Sequence, residues 1–195
     1  MKQDLHFATP VYVENIGSLD FNNYLEKHIL KWQSEDKGIQ RTNKNGWHSL
    51  DNMHTKEEYK PLIEDLYTAQ KIIYEKENYL LEPILGSMWA NINPPGSYNF
   101  PHMHPNSLWS GVYYIKTPKN CGSLIIEDPK SVGLMTSPKK KQNSPIYSLR
   151  HVEYTPNAGT LIMFPSYLNH WVDTNESDDI RISVSFNFLQ KGMFL

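Results

Sequence analysis

The chain of 195 residues has a single cysteine, Cys121. It therefore forms no disulfide within itself, and a reducing compartment is the default. No apolar run approaches the roughly 20 residues that a membrane helix needs. Met1-Lys2-Gln3-Asp4-Leu5-His6 leads into Phe7-Ala8-Thr9-Pro10 without the apolar segment of a signal peptide. An excess of either charge is also missing. Nineteen basic residues against 21 acidic ones leave a net charge of -2, which gives no overall pull toward nucleic acid or an anionic membrane. There are no internal repeats. These absences predict a cytoplasmic protein.

What is present is enough apolar material, 39% hydrophobic and 12% aromatic, for one core, and a single domain over 1–195 is expected. Residues 1–83 read as mostly helical support. Phe21, Leu25, Ile29 and Trp32 recur at helical spacing, as do Tyr59, Leu62, Ile63, Leu66 and Ile73. Thr55-Lys56-Glu57-Glu58 has the pattern of a capping box, which places a helix start there. Asn45-Gly46-Trp47-His48-Ser49 reads as a turn and a short strand. From 84 to 190 the texture changes to short β-rich runs, at 88–93, 110–116, 123–127, 148–153, 160–164 and 181–188. The predicted class is mainly β with a helical annex (α+β). Its form is a double-stranded β-helix, a jelly-roll barrel of the cupin-like kind, buttressed by the N-terminal helices.

Two motifs carry chemistry. His102-Met103-His104 leaves the strand-like segment Gly96-Ser97-Tyr98-Asn99-Phe100-Pro101 and enters another strand, and His170 follows the strand-and-turn Gly159 to Pro165. Residues two apart on a strand point the same way. Distant strand ends meet at one mouth of a barrel, so the three imidazoles can converge on one divalent ion. A scattered pair of surface histidines is the plainer reading of His-x-His alone. His6, His28, His48, His54 and His151 lack such partners and default to structural or solvent positions.

Arg181 is the second clue. Ile182, Val184, Phe186 and Phe188 alternate with Arg181, Ser183, Ser185 and Asn187, so the polar set should face the barrel interior. An interior guanidinium calls for an anion, and its planar fork matches a carboxylate. The competing reading is a surface salt bridge to Asp178 or Asp179.

Trp89-Ala90-Asn91-Ile92-Asn93, Gly96-x-Tyr98-Asn99, Pro101-His102-x-His104-Pro105-x-Ser107, Ser110-Gly111-Val112-Tyr113-Tyr114, Glu127-Asp128-Pro129, Phe164-Pro165-Ser166, His170 and Arg181-Ile182-Ser183 together resemble the iron(II)/2-oxoglutarate-dependent oxygenase superfamily. Within it the chain is most similar to a branch of oxygenases found in bacteria and phages. If phage-encoded, it would work in the host cytoplasm.

The resemblance implies Fe(II), 2-oxoglutarate as co-substrate and O2, with ascorbate as a stimulant. The implied reaction couples oxidative decarboxylation of 2-oxoglutarate to C–H oxidation. His102 and His170 map to the metal ligands. His104 falls where the superfamily usually has aspartate, so the third ligand is His104, Asp128 or water. Arg181 maps to the group that holds the far carboxylate of 2-oxoglutarate, with Ser183, Tyr114 and Asn91 beside it. Hydroxylation is the default outcome; halogenation needs the third position free.

Cupins share the barrel and the two histidine motifs, and a three-histidine cupin-type metal enzyme is the alternative. Against it, Trp109 and Ser110 stand near where a cupin glutamate is due, and Tyr167 where a glycine is. A non-catalytic jelly roll serving binding or structure is a further alternative. Residues 129–150 hold Lys130, Lys139, Lys140, Lys141 and Arg150 and no acid. The loop is either a solvated surface or the sign of an acidic substrate. With few aromatics among its cations it argues against nucleic acid. The substrate is unknown, no membrane partner is expected, and a homodimer is left open.

Overall fold

In the computed structural model, all residues are described except 131–134, 136–137, 191 and 193–195. The first helix, α1 (Leu19–Glu35), begins where Ser18 Oγ accepts a hydrogen bond from the Phe21 N–H at 3.2 Å. Asp20 in the first turn complements the helix dipole. Leu25, Ile29 and Trp32 form its buried stripe. The second helix starts later than the capping-box pattern predicts. The segment at Thr55 winds two short 3-10 turns, Met53–Thr55 and Glu57–Tyr59, and α2 spans Lys60–Lys76. Pro61 decides this, because its fixed φ and missing N–H suit the first helical turn. Thr55 Oγ1 donates to the Asn52 carbonyl instead of capping.

Among the described residues there are eleven strands: β1 (Tyr12–Asn15), β2 (Asn43–Lys44), β3 (Trp47–His48), β4 (Ile84–Asn93), β5 (Tyr98–His102), β6 (Trp109–Lys116), β7 (Leu124–Glu127), β8 (His151–Tyr154), β9 (Thr160–Pro165), β10 (His170–Val172) and β11 (Arg181–Leu189). They form a six-stranded sheet, β1-β9-β6-β11-β4-β3, and a five-stranded sheet, β2-β5-β10-β7-β8. Every strand pair is antiparallel. The fold is the jelly roll that the strand pattern predicts. The strands missing from the pattern, β1, β2 and β10, are all two to four residues long, too short to establish a period. The run expected over 148–153 begins only at His151, because Ile146–Ser148 makes a 3-10 turn.

The alternation in β11 has a physical cause on each face. Ile182, Val184, Phe186 and Phe188 join Met88, Ala90 and Ile92 of β4 and the helix residues Leu25, Ile29, Leu62 and Leu66 in one core cluster. Burying each such side chain stabilises the fold by roughly 1.5–3 kcal/mol. The opposite face looks between the two sheets, onto a smaller apolar cluster that includes Val112, Leu124, Ile162 and Phe164. The Asn45-Gly46 turn, with Asn45 at φ 57, carries the chain from one sheet to the other, since β2 pairs with β5 and β3 with β4. That crossing brings His48 to the open end of the barrel.

Candidate active site

The site is a cavity of about 320 Å³ between the sheets, within the range of small-ligand pockets. At its mouth the ladder sets His170 of β10 opposite His102 of β5, and His104 lies two residues beyond, where its N–H donates to the Ser166 carbonyl. His102, His104 and His170 each offer one ring nitrogen, and these three atoms lie within 4.8 Å of one another. The ring centroids are 4.3, 5.0 and 5.1 Å apart.

Backbone carbonyls fix how two of the rings present themselves. His102 Nδ1 lies 2.7 Å from the Phe100 carbonyl and His170 Nδ1 lies 2.9 Å from the Leu168 carbonyl. A carbonyl only accepts, so Nδ1 carries the proton and Nε2 is left with a lone pair, the state in which imidazole ligates a metal. Burial, reinforced by their neighbours, pushes His104 down to about 4 and His170 down to about 3, and burial also lowers His102. Three neutral nitrogen donors on one face suit a divalent transition metal.

Asp128 is not in this group. Its carboxylate accepts from the Lys130 N–H at 3.0 Å, in a turn beyond the end of β7. Glu127 likewise accepts from the Asn169 side chain.

The deep end is built by β11, β4 and β6. Arg181 stands opposite Asn93, and Ser183 stands opposite both Asn91 and Tyr114. All five line the cavity. Arg181 is 1% exposed, yet no carboxylate pairs with it among the described residues. Its Nη1 donates to the Cys121 carbonyl at 2.5 Å and to the Gly122 carbonyl at 3.1 Å. Gly122 is left-handed, with φ 86, and a side chain there would run into the Asp173 backbone, so glycine is required for that contact. The salt bridge to Asp178 or Asp179 does not form: Asp179 pairs with Lys116.

Burial raises Tyr114 to about 12 although the Arg181 charge opposes it, so its hydroxyl is a neutral donor. Asn91 gives its amide to Ser185 Oγ at 3.1 Å. Ser110 links Asn187 and Ser166 in the same interior polar row. Asn93 Nδ2, buried beside Arg181, has no hydrogen-bond partner among the described residues.

The sequence reading missed His48. It lines the cavity and stacks on Trp89, at 5.4 Å between centroids and 8° between planes, while Trp89 also packs against His104 at 5.7 Å. The available signal was the turn at Asn45-Gly46, which returns the chain to the barrel mouth. Arg41 and Asp51, both exposed, join the lining from the same region.

Residues 87–187, which hold most of the strands of this barrel, match the family described as "Putative 2OG-Fe(II) oxygenase". The chain belongs to that family of 2OG-Fe(II) oxygenases, and it is an oxidoreductase by that membership. This decides between the oxygenase and cupin readings. No curated protein matches the sequence.

Among solved structures, the chain is similar to a prolyl-4-hydroxylase of Pseudomonas putida, at 15% identity, a TM-score of 0.70 and 94% coverage of each chain. It is also similar to a viral collagen prolyl hydroxylase of Paramecium Bursaria Chlorella virus-1 solved with 2OG, at 14% identity, a TM-score of 0.62 and coverage of 91% of this chain and 94% of that one. The epimerase SnoN, solved with Fe3+, alpha ketoglutarate and nogalamycin RO, is similar at 9% identity, a TM-score of 0.71 and coverage of 93% of this chain and 79% of that one. At these identities the likeness establishes the jelly-roll fold. No helix among the described residues is long and apolar enough to cross a membrane.

Proposed function

We propose that this chain is an iron(II)- and 2-oxoglutarate-dependent dioxygenase that acts as a hydroxylase. One observation carries the reading: a single cavity holds three neutral imidazoles at its mouth and, at its floor, a buried guanidinium with no carboxylate partner. His102, His104 and His170 would hold the metal through ring nitrogens already stripped of protons. Arg181 would take the distal carboxylate of 2-oxoglutarate through its guanidinium, with the Ser183 and Tyr114 hydroxyls donating beside it. When bound, iron and the 2-oxo acid supply O2 activation coupled to release of succinate and CO2 and to oxidation of a substrate C–H bond.

The chain's own groups position these partners. Phe164 packs edge-on to His170 at 4.7 Å, and with Val112 and Leu124 it keeps the wall between metal and arginine apolar. Such a wall strengthens charge pairing and limits water. A three-histidine set contributes no negative charge, so the carboxylates of the co-substrate would supply the neutralisation that an aspartate gives elsewhere in the superfamily. His104 as third ligand would occupy the place a halide needs, which favours hydroxylation. The two prolyl hydroxylases among the similar structures support that outcome.

The test is an anaerobic titration of the protein with iron(II) and then 2-oxoglutarate, watching for the weak visible charge-transfer band of the chelate. Aerobic assay of succinate, with ascorbate present, follows. A band together with succinate above the metal-free control is expected. Absence of both defeats the reading.

A further inference from the structure

Two of the three imidazoles at the mouth are fixed by backbone carbonyls, Phe100 for His102 and Leu168 for His170. Among the described residues the His104 ring has no such bond. A histidine that ligates a metal almost always gives its second ring N–H to an acceptor, and without that bond the ring torsion of histidine is soft. For His104 to present a nitrogen as steadily as its two neighbours do, its ring needs another restraint.

Aromatic packing supplies one. Trp89 of β4 lies against the His104 ring, at 5.7 Å between centroids and 42° between planes. The same indole lies flat on His48, at 5.4 Å and 8°. His48 is 6% exposed, and its surroundings hold it firmly. Its Nδ1 donates to the Ser49 carbonyl at 2.6 Å, and its own carbonyl accepts from the Ile39 N–H at 2.8 Å. Ser49, fully buried, is tied twice to the neighbour of Trp89. Its N–H donates to the Ala90 carbonyl and its Oγ accepts from the Ala90 N–H, both at 3.0 Å. The His48 imidazole and the Trp89 indole are therefore mounted on one laddered piece of backbone, where β3 sets His48 opposite Asn91 of β4. His48, Trp89 and His104 all line the cavity.

We propose that His48 and Trp89 are positioning residues for the third metal ligand: the anchored imidazole holds the indole, and the indole sets the rotation of the His104 ring. This rests on the reading of His104 as a ligand. Contact between flat rings restricts rotation without occupying a ring nitrogen, so the lone pair of His104 stays available to the metal. The Nδ1 bond is the part of His48 that another flat ring lacks. A phenyl group at position 48 would present a similar face but would lose the bond that fixes its angle.

The experiment titrates the full chain with cobalt(II), an air-stable stand-in for iron(II) whose visible absorption reports the geometry of its ligands. The variants are His48→Ala, His48→Phe, Trp89→Leu, His104→Ala and the double variant His48→Ala/His104→Ala, each checked by circular dichroism and a thermal melt. His48→Ala and Trp89→Leu are expected to lower cobalt affinity roughly 10-fold, as loss of a group supporting a ligand does, and to alter the visible spectrum. His48→Phe should recover part of the loss. In the His104→Ala background His48→Ala should cost nothing further, because a residue that acts through His104 has nothing left to position. A second arm uses metal-free protein and nitrogen–proton NMR of the histidine rings. There His48→Ala should move the His104 ring signals far more than those of His102 and His170.

Unchanged cobalt affinity and spectrum in both His48→Ala and Trp89→Leu overturn the proposal. So does a His48→Ala loss that is equally large with and without the His104 ring, or a His104 ring signal that does not move. Should His48→Ala fail to fold, His48→Phe and Trp89→Leu decide by the same criteria. 2-Oxoglutarate affinity of the cobalt-loaded chain separates this proposal from the oxygenase reading. If 2-oxoglutarate binds and the His48 and Trp89 variants match the parent, positioning alone fails. If the variants behave as expected and 2-oxoglutarate does not bind, positioning stands and the oxygenase reading falls.

Discussion

The two ends of the cavity differ in the charge they present. At the mouth, burial keeps three imidazoles neutral, so they offer lone pairs to a cation. At the floor, Arg181 is a buried cation with two carbonyl contacts and, among the described residues, no acid. Buried groups that are poorly compensated cost free energy, and a ligand of the right charge would offset that cost at either end. The mouth suits a divalent metal and the floor suits an acid.

Removing a ligand from the mouth should produce the largest effect. His170→Ala is expected to abolish stoichiometric iron(II) binding while leaving the fold and the Arg181 end intact, as read by metal analysis and circular dichroism. Retention of one iron per chain would falsify the three-histidine assignment. His104→Ala should weaken iron binding less than His170→Ala, because among the described residues no hydrogen bond fixes the orientation of the His104 ring, whereas the His170 ring is held by the Leu168 carbonyl.

The floor should respond next, and differently. Arg181→Ala is expected to lower 2-oxoglutarate affinity roughly 30-fold or more, from the ~2–5 kcal/mol typical of breaking a buried charge pair, with iron affinity unchanged. Arg181→Lys keeps the charge but loses the fork, and should fall between. Arg181→Met should raise the melting temperature of the co-substrate-free protein, since it replaces a buried, unpaired cation with an apolar side chain. A lower melting temperature in that variant means that the carbonyl contacts of Arg181 matter more to the fold than its unpaired charge.

Acid tests the mouth more gently. The folded-state values of His104, about 4, and His170, about 3, lie below the unperturbed 6.5. Below about pH 6.5 the unfolded chain therefore takes up protons that the folded chain refuses. The stability these groups contribute is fully present above that pH and is lost progressively as pH falls toward the folded values. Melting temperatures of metal-free protein should decline from about pH 7 to 5, and His170→Asn should flatten the slope. A profile indifferent to that substitution counts against burial as the cause. The smallest effect is expected at Asp128. Asp128→Asn should leave iron binding unchanged, and a clear loss would restore its carboxylate as the third ligand.

How much of this was legible in the sequence differs by element. The period-2 alternation of β11 gave the direction of Arg181, Ser183, Ser185 and Asn187, because a strand covered on both faces must sort apolar from polar residues. The spacing of His102 and His104 and the strand ending before His170 pointed to the three imidazoles that the fold brings within 4.8 Å of one another. The start of α2 was misread because Pro61 outweighed the capping-box pattern. β1, β2 and β10 were too short to show a period.

The sequence by itself determined which side chains were available and which face of each long strand they took, since these follow from local periodicity. Only the tertiary structure decided what each of them met. Asp179 went to Lys116 and left Arg181 alone with backbone carbonyls, and Asp128 turned to its own loop instead of the histidines. His48, unremarkable in the sequence, came to the mouth because the Asn45-Gly46 turn crosses between sheets. Partner choice depends on distances between strands far apart in the chain, and no local pattern encodes those distances.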